Sequence, residues 1–173
     1  KDILKRAETA GCPVLVILAD EPSFGYRPRD IRNGLSMPPK MTLTNIINTL
    51  KRPHWALQTL LNGQPSFETL KPYMPKNLNL NQLAKFMDAT FSGRLDEDKI
   101  KRIRDIWKGK LILKGAESVH DVEKAYRLGL DGIIVSNHGG RQVDVGQATI
   151  DSLKTIAPLF KDKLTIMMDS GIR

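Results

Sequence analysis

Residues 136–141, with the sequence SNHGGR, place several kinds of chemistry side by side directly after an apolar run. Histidine titrates near neutral pH, so His138 is a candidate for a group that accepts a proton from a substrate. The guanidinium groups of Arg141 and Arg27 can hold a carboxylate in bidentate fashion, which predicts a small organic acid as the substrate. The glycines of this stretch allow backbone N–H groups to approach an anion such as a phosphate.

Groups suited to chemistry follow all four of the apolar runs that read as strands. The runs are PVLVILAD at 13–20, KLILKG at 110–115, GIIVSN at 132–137 and KLTIMMDSG at 163–171. Their apolarity is continuous rather than alternating, which is typical of strands buried on both faces of a parallel sheet. The residues at their ends are Asp20, Lys114, Ser136 with His138 and Arg141, and Asp169 with Gly171 and Arg173. Because ligands bind at the carboxyl ends of parallel strands, we expect these residues to converge on one site.

A helical pattern precedes each of the last three runs. They are DEDKIKRIRDIW before the second run, SVHDVEKAYRLG before the third and ATIDSLKTIAPLF before the fourth. Ser118 is suited to cap the start of the middle helix, and Gly129 is suited to end it. The alternation of strands and helices predicts an α/β fold with right-handed crossovers and a parallel sheet or barrel.

Each candidate residue has a structural alternative when it is taken singly. Asp20 can cap a turn, Lys114 can be a solvated strand end, and a lone His138 is more often structural than catalytic. Four strand ends that all carry such groups favour a functional site instead. In that site Asp20 would stabilise a histidine cation, and Lys114 would stabilise negative charge that develops on a cofactor ring.

The composition is that of an ordinary globular protein, with 40% hydrophobic and 27% charged residues among 173. The single cysteine, Cys12, excludes an internal disulfide and cannot build a zinc site by itself. We therefore predict no metal centre and a reducing, cytoplasmic location. No apolar run is long enough to span a bilayer, and the N-terminus lacks the apolar region of a signal peptide. The chain does not begin with methionine and stops directly after a strand-like run, so we expect a piece of a longer protein.

Residues 21–95 form a long segment between the first two strand-like runs, and a segment of this length is usually functional. Its part from 31 to 87 holds seven basic residues and one acid, a net charge of +6 within a total of +8. Such charge indicates an anionic membrane, nucleic acid or anionic substrates as partners. We find no aromatic-rich basic face and no recognition motif, so a nucleic-acid-binding module is only the non-enzymatic alternative.

The stretch SNHGGRQVD, residues 136–144, resembles the active-site signature of the FMN-dependent α-hydroxy acid oxidases and dehydrogenases. DEPSFGYRPRDIRNG, residues 20–34, resembles the loop of this family that bears a substrate arginine, and KLILKG resembles its lysine-bearing strand. MMDSGIR, residues 167–173, resembles its first phosphate-side motif. The order is that of the family, which includes glycolate oxidase, flavocytochrome b2 and the bacterial lactate and mandelate dehydrogenases, and the likeness covers almost the whole chain.

The resemblance implies a TIM, or (β/α)8, barrel, of which residues 1–173 would supply about strands four to seven. Residues 21–95 would be a long basic insertion after strand four. The resemblance also implies FMN as cofactor and the oxidation of an L-2-hydroxy acid, first of all L-lactate, to the 2-oxo acid. Electrons would pass to a quinone, a cytochrome or oxygen, and relatives imply a homo-oligomer, a tetramer. Another FMN barrel enzyme that acts on a different anion is the alternative.

By the same resemblance, His138 would be the catalytic base and Asp20 its partner, while Arg27 and Arg141 would bind the substrate carboxylate. Lys114 would lie at the N1/O2 edge of the flavin and stabilise its reduced form. The remaining cofactor contacts would come from Ser136 on the flavin and from Asp169, Gly171 and Arg173 on the ribityl-phosphate side.

Two further features bear on the resemblance. Leu18 stands where many members have threonine, so the flavin-side hydroxyl contact of those members has no counterpart here. KRPHWALQTLLNGQPSFETLKPYMP, residues 51–75, resembles the insertion that attaches the bacterial lactate and mandelate dehydrogenases to the membrane. Lys and Arg beside Trp55 suit an anionic interface, so we expect peripheral contact with the inner face of the cell membrane through residues 31–87. A solvated basic lid packed on the barrel is the alternative.

Overall fold

The fold is described from a computed structural model of the chain. The structure describes residues 2–21, 28–35, 40, 42–63, 68–76, 78, 80–91, 95–143 and 145–172. These residues divide into two compact units, one from Lys1–Tyr26 with Phe91–Arg173 and the other from Arg27–Thr90. The helices are α1 (Asp2–Thr9), α2 (Pro28–Arg32), α3 (Leu43–Leu50), α4 (Pro53–Asn62), α5 (Leu80–Phe91), α6 (Glu97–Ile106), α7 (Val119–Arg127) and α8 (Thr149–Phe160).

A four-stranded parallel sheet organises the first unit. The strands are β1 (Val14–Leu18), β2 (Lys110–Lys114), β3 (Gly132–Val135) and β4 (Thr165–Met168), and each is hydrogen-bonded to the next in chain order. The register pairs Leu18 with Lys114 and Lys114 with Ile134, so the strands end at the same edge of the sheet. This confirms the predicted α/β fold with a parallel sheet.

Helix α7 has the boundaries that its sequence predicts. The hydroxyl oxygen of Ser118 accepts a hydrogen bond from the backbone N–H of Asp121 at 3.1 Å and caps the first turn. Gly129 follows the helix with a φ of 74°, a left-handed conformation that glycine adopts without a Cβ clash. The helix therefore crosses from β2 to β3 with both ends capped.

The core of the first unit lies between the helices and one face of the sheet. Leu111, Leu113, Ile133 and Val135 are buried on that face, and each such side chain contributes about 1.5–3 kcal/mol by leaving water. The helices add Val122, Ala125, Ile156 and Phe160 to the same apolar cluster.

The opposite face of the sheet is open along β1. Val14, Val16 and Leu18 are 41–46% exposed, whereas Leu15 and Ile17 pack against the core. The prediction of strands buried on both faces is therefore wrong for β1. The continuous apolar run does form a strand, but successive side chains of a strand point to opposite faces, and the described residues cover only one of them.

Asp131 directly precedes β3 and binds several groups at the edge of the sheet where the strands begin. Its carboxylate accepts hydrogen bonds from Lys110 Nζ at 2.7 Å, from Arg104 Nη1 at 3.1 Å and from the backbone N–H of Leu111 at 3.0 Å. Burial acts to raise the pKa of Asp131, but these bonds and charges outweigh it, so the pKa lies below its usual range. Asp131 thereby joins α6, β2 and β3 through one side chain.

The second unit is built from short helices. Helix α3 begins after Thr42, whose hydroxyl oxygen accepts a hydrogen bond from the backbone N–H of Asn45 at 3.2 Å. The side-chain amide of Asn45 donates to the carbonyls of Asn33 at 3.0 Å and Lys40 at 2.9 Å, and so fixes α3 to the preceding stretch. Helix α3 also packs against α4.

Large apolar side chains are exposed along α3 and α4. The largest exposed fractions are those of Leu43, Leu50, Trp55, Leu60 and Leu61, which range from 59 to 83%. None of the helices formed by the described residues is long and apolar enough to cross a membrane. The exposed apolar side chains of these two helices are called here the α3/α4 surface.

Candidate active site

Lys114, the last residue of β2, lies at the centre of the carboxyl edge of the sheet. Its Nζ donates a hydrogen bond to Ser136 Oγ at 2.6 Å and pairs with Asp169 Oδ2 at 2.8 Å. Asp20 Oδ2 lies 3.8 Å from the same nitrogen. Residues at the ends of all four strands thus meet at one ammonium group, and these four residues were all singled out from sequence.

Asp20 is held against the turn that follows β2. Gly115 has a φ of 95°, and a Cβ built on it would lie 2.5 Å from the Cβ of Asp20. Glycine is required there both by the backbone conformation and by the space that Asp20 occupies. The Asp20 side chain is 9% exposed, and its Oδ1 is buried with no hydrogen-bond partner among the described residues.

The His138 ring lies between two carboxylates. Its Nδ1 is 3.2 Å from Asp20 Oδ2, and its Nε2 is 3.0 Å from Glu21 Oε1. The backbone of His138 has a φ of 56°, and its N–H donates to Ser136 Oγ at 3.2 Å. A positive φ is uncommon outside glycine and concentrates at functional sites, so this conformation aims the ring at the carboxylates at some cost in backbone strain.

Two carboxyl groups near the site have shifted pKa values. Burial acts to raise the pKa of Asp169, but hydrogen bonds from Lys114, Ser136 and Ser170 outweigh it and hold the pKa below its usual range. Burial and the charge of Asp20 raise the pKa of Glu117, whose Oε1 is buried without a hydrogen-bond partner in the described residues. Asp169 is therefore an anion that balances Lys114.

The other predicted site residues are less constrained. The backbone N–H of Arg141 donates to the His138 carbonyl at 3.3 Å, while its exposed guanidinium has no partner in the described part of the chain and is available to an anion. Gly171 is exposed, with a φ of 76°. Arg27 and Arg173 lie outside the described residues.

A family model described as FMN-dependent dehydrogenase matches residues 1–173. The chain belongs to this family. The L-lactate dehydrogenase of Bartonella quintana is 38% identical over 174 residues, which cover 100% of this chain and 45% of that protein. The L-lactate dehydrogenase of Allorhizobium ampelinum is 39% identical over 174 residues, 100% of this chain and 46% of its own length.

Two solved structures of FMN-dependent dehydrogenase relatives resemble the chain. A monotopic membrane protein, (S)-mandelate dehydrogenase, has a TM-score of 0.85 and 28% identity, over 99% of this chain and 45% of its own. A mandelate oxidase variant solved with a C4a-OH-FMN adduct has a TM-score of 0.65 and 26% identity, over 99% of this chain and 39% of its own. The chain thus spans less than half the length of these relatives.

The donor set at the carboxyl edge fits FMN in its chemistry. Lys114 supplies a positive charge and Ser136 a hydroxyl, which match a flavin ring edge that accepts hydrogen bonds and gains negative charge on reduction. The ammonium group carries three hydrogens, so one can turn to a ligand while Ser136 and Asp169 keep theirs. FMN bound at this edge would thus meet a cation at the centre of the site.

Three residues of the site were not predicted from the sequence. Glu21 contacts His138 Nε2, and Gln142 Nε2 donates to Glu21 Oε1 at 3.4 Å. Ser170 Oγ donates to Asp169 Oδ1 at 2.9 Å and accepts the N–H of Gly139 at 3.0 Å, which joins the ends of β3 and β4. A signal for Glu21 and Ser170 was available, because each lies next to a predicted residue at a strand end.

Proposed function

We propose that the full-length protein is an FMN-dependent L-2-hydroxy acid dehydrogenase or oxidase that converts L-lactate to the 2-oxo acid. The observation that carries the proposal is the 3.2 Å contact between His138 Nδ1 and Asp20 Oδ2, next to Lys114 at the same sheet edge. The candidate base His138, its carboxylate partner Asp20 and the cofactor cation Lys114 therefore lie next to one another.

His138 takes the hydroxyl proton of the substrate on Nε2. Asp20 accepts the hydrogen of Nδ1, which leaves Nε2 bare in the neutral ring and stabilises the cation formed when the proton arrives. Proton transfer to a positioned base contributes about 10²–10⁴-fold to rate. Lys114, Ser136, Asp169, Gly171 and Arg173 would hold FMN, which when bound would supply the capacity to accept the two electrons of the substrate C2–H bond.

Arg141 and Arg27 bind the substrate carboxylate. The exposed Arg141 guanidinium, unpaired within the described residues, supports this role, because a paired guanidinium would have to leave its partner first. The relatives named L-lactate dehydrogenase, at 38 and 39% identity, support lactate as the first substrate to test.

The open face of β1 supports a larger (β/α)8 barrel. In this proposal residues 1–173 form about strands four to seven, residues 21–95 are an insertion after strand four, and further strands of the full-length protein cover Val14, Val16 and Leu18. A row of apolar side chains 41–46% exposed is what half of such a barrel would present.

The second unit contacts the membrane surface in the same proposal. Its support is the apolar α3/α4 surface, the net charge of +6 between residues 31 and 87, and the likeness to a monotopic membrane dehydrogenase. The protein would then act as a homo-oligomer at the cytoplasmic face and pass electrons to a quinone, a cytochrome or oxygen.

Anaerobic titration of the FMN-loaded full-length protein tests the function. L-lactate, glycolate and L-mandelate are added separately and the flavin absorbance is followed, with D-lactate as the stereochemical control. We expect L-lactate to bleach the flavin and D-lactate to leave it oxidised. If none of these three 2-hydroxy acids bleaches it while another anion does, the protein acts on a different substrate class.

A further inference from the structure

Glu21 occupies the side of the His138 ring that a substrate must reach. Its Oε1 lies 3.0 Å from Nε2, while Asp20 Oδ2 lies 3.2 Å from Nδ1. Lys114 Nζ faces Asp20 Oδ2 at 3.8 Å. The imidazole is therefore flanked by two carboxyl groups that follow one another directly in the chain.

The contact at Nε2 requires a proton. With the hydrogen of Nδ1 directed at Asp20, the neutral ring has only a lone pair on Nε2, and a lone pair and a carboxylate repel each other at 3.0 Å. The contact becomes attractive when the ring carries both hydrogens or when Glu21 is protonated. Glu21 Oε1 is therefore placed to accept a hydrogen from Nε2 once the ring has gained a proton.

The two carboxyl groups differ in their access to water. The Asp20 side chain is 9% exposed and that of Glu21 is 37% exposed. Gln142 Nε2 donates to Glu21 Oε1 at 3.4 Å and helps to hold the carboxylate toward the ring. A proton on Nε2 therefore has a short path to solvent through Glu21 and no comparable path through Asp20.

We propose that Glu21 is a relay residue, which acts through His138 and carries the abstracted proton to water. The proposal rests on the function proposed above. After the substrate hydroxyl has given its proton to Nε2, the N–H bond breaks as an O–H bond forms on Glu21. Water or a buffer base then takes the proton from Glu21, which returns to a carboxylate and leaves Nε2 bare for the next substrate.

The test compares the FMN-loaded full-length wild type with Glu21→Gln and with Glu123→Gln, a matched change at an exposed site on α7. The steady-state kcat for L-lactate is measured at constant pH and ionic strength while formate or imidazole is raised. The rate of the first anaerobic bleaching is measured separately. We expect Glu21→Gln to lower kcat about tenfold or more at low buffer, with kcat/KM and the first bleaching unchanged, and small buffers to restore kcat.

A second readout needs no turnover. In protein labelled with ¹⁵N-histidine and held at acidic pH with the His138 ring protonated, we expect the hydrogen on Nε2 to exchange with water faster in the wild type than in Glu21→Gln, because the carboxylate passes the proton to solvent and the amide cannot. The relay is overturned if this hydrogen exchanges at the same rate in both proteins, or if kcat of the variant equals that of the wild type at every buffer concentration. Equal slowing of kcat and of the first bleaching, without rescue, would instead assign Glu21 to holding the ring. Failure of L-lactate to bleach the wild type counts against the proposed function alone, since the labelling result stands without it.

Discussion

Nδ1 of His138 lies 3.2 Å from Oδ2 of Asp20, although the two residues are 118 positions apart in the chain. Asp20 follows β1 and His138 follows β3, so the contact bridges over the strand between them. That strand, β2, ends at Lys114, and Gly115 follows it in the turn against Asp20. The order of three parallel strands therefore determines the relative positions of the candidate base, its carboxylate partner and the cofactor cation.

Replacing His138 with glutamine should keep FMN bound and abolish its reduction by L-lactate. The amide cannot take a proton at neutral pH, so we expect the rate of bleaching to fall by about 10²–10⁴-fold or more. Stopped-flow absorbance measures the rate, and FMN content measures binding. His120→Gln, at an exposed position on α7, is the control. Rapid bleaching in the His138 variant would disprove its role as base.

Replacing Asp20 with asparagine should slow the same step. The amide no longer stabilises the histidine cation and can reverse the hydrogen bond at Nδ1, so we expect about a 10²-fold loss in the bleaching rate. Because the pair acts as a unit, Asp20→Asn combined with His138→Gln should cost no more than His138→Gln alone. Additive losses in this double-mutant cycle would mean that the two residues act independently.

Replacing Lys114 with methionine should make the bound FMN harder to reduce. Removing the cation takes away the charge that favours an electron-rich flavin, so the reduction potential should fall and FMN should be held more weakly. Equilibration with reference dyes measures the potential, and absorbance after gel filtration measures retention. Lys101→Met, an exposed change on α6, should alter neither. An unchanged reduction potential would mean that the charge of Lys114 does not act on the bound flavin.

Asp131→Asn should destabilise the fold in a pH-dependent way. The pKa of Asp131 is lower in the folded than in the unfolded chain, so its contribution is complete above the unfolded value and is lost as pH falls through the folded value. We expect a loss of about 1–2 kcal/mol in unfolding free energy at neutral pH, which shrinks below about pH 4. Thermal unfolding from pH 3 to 8 measures it, with the exposed Asp162→Asn as control. A loss that is the same at all pH values would contradict the assignment.

Charges placed on the α3/α4 surface should release the protein from membranes. The double variant Leu60→Asp and Leu61→Asp should lower binding of the full-length protein to vesicles of anionic phospholipid about tenfold or more, since it exchanges apolar contact for repulsion. Co-sedimentation measures the bound fraction. Leu159→Asp on α8, also an exposed leucine, is the matched control. Equal binding of both variants would exclude this surface as the membrane contact.

The sequence was sufficient to predict the parallel sheet, the Ser118 cap and the convergence of Asp20, Lys114, Ser136 and His138. These follow from local rules, because apolar runs mark strands and parallel strands end at one edge. The contact of Glu21 with His138 could not be predicted in the same way. Which of two adjacent carboxylates reaches which ring nitrogen depends on side-chain directions across three strands, and no local pattern encodes them.

Burial of β1 could not be predicted for a related reason. Val14, Val16 and Leu18 have the residue types of a strand covered on both faces, and only the packing reveals that one face is open. The roles of Arg27 and Arg173 remain predictions from the resemblance, because both residues lie outside the described part of the chain.

Gly115 has a consequence for how this site can be altered. Its missing Cβ leaves the volume that Asp20 fills, and its backbone conformation excludes other residues as well. Libraries that aim to change substrate or acceptor can vary Gln142 and Glu117 while keeping this position fixed. A change of Gly115 to alanine would press a methyl group against the Asp20 side chain and should lower turnover although Gly115 itself takes no part in the chemistry, a loss easily mistaken for that of a catalytic residue.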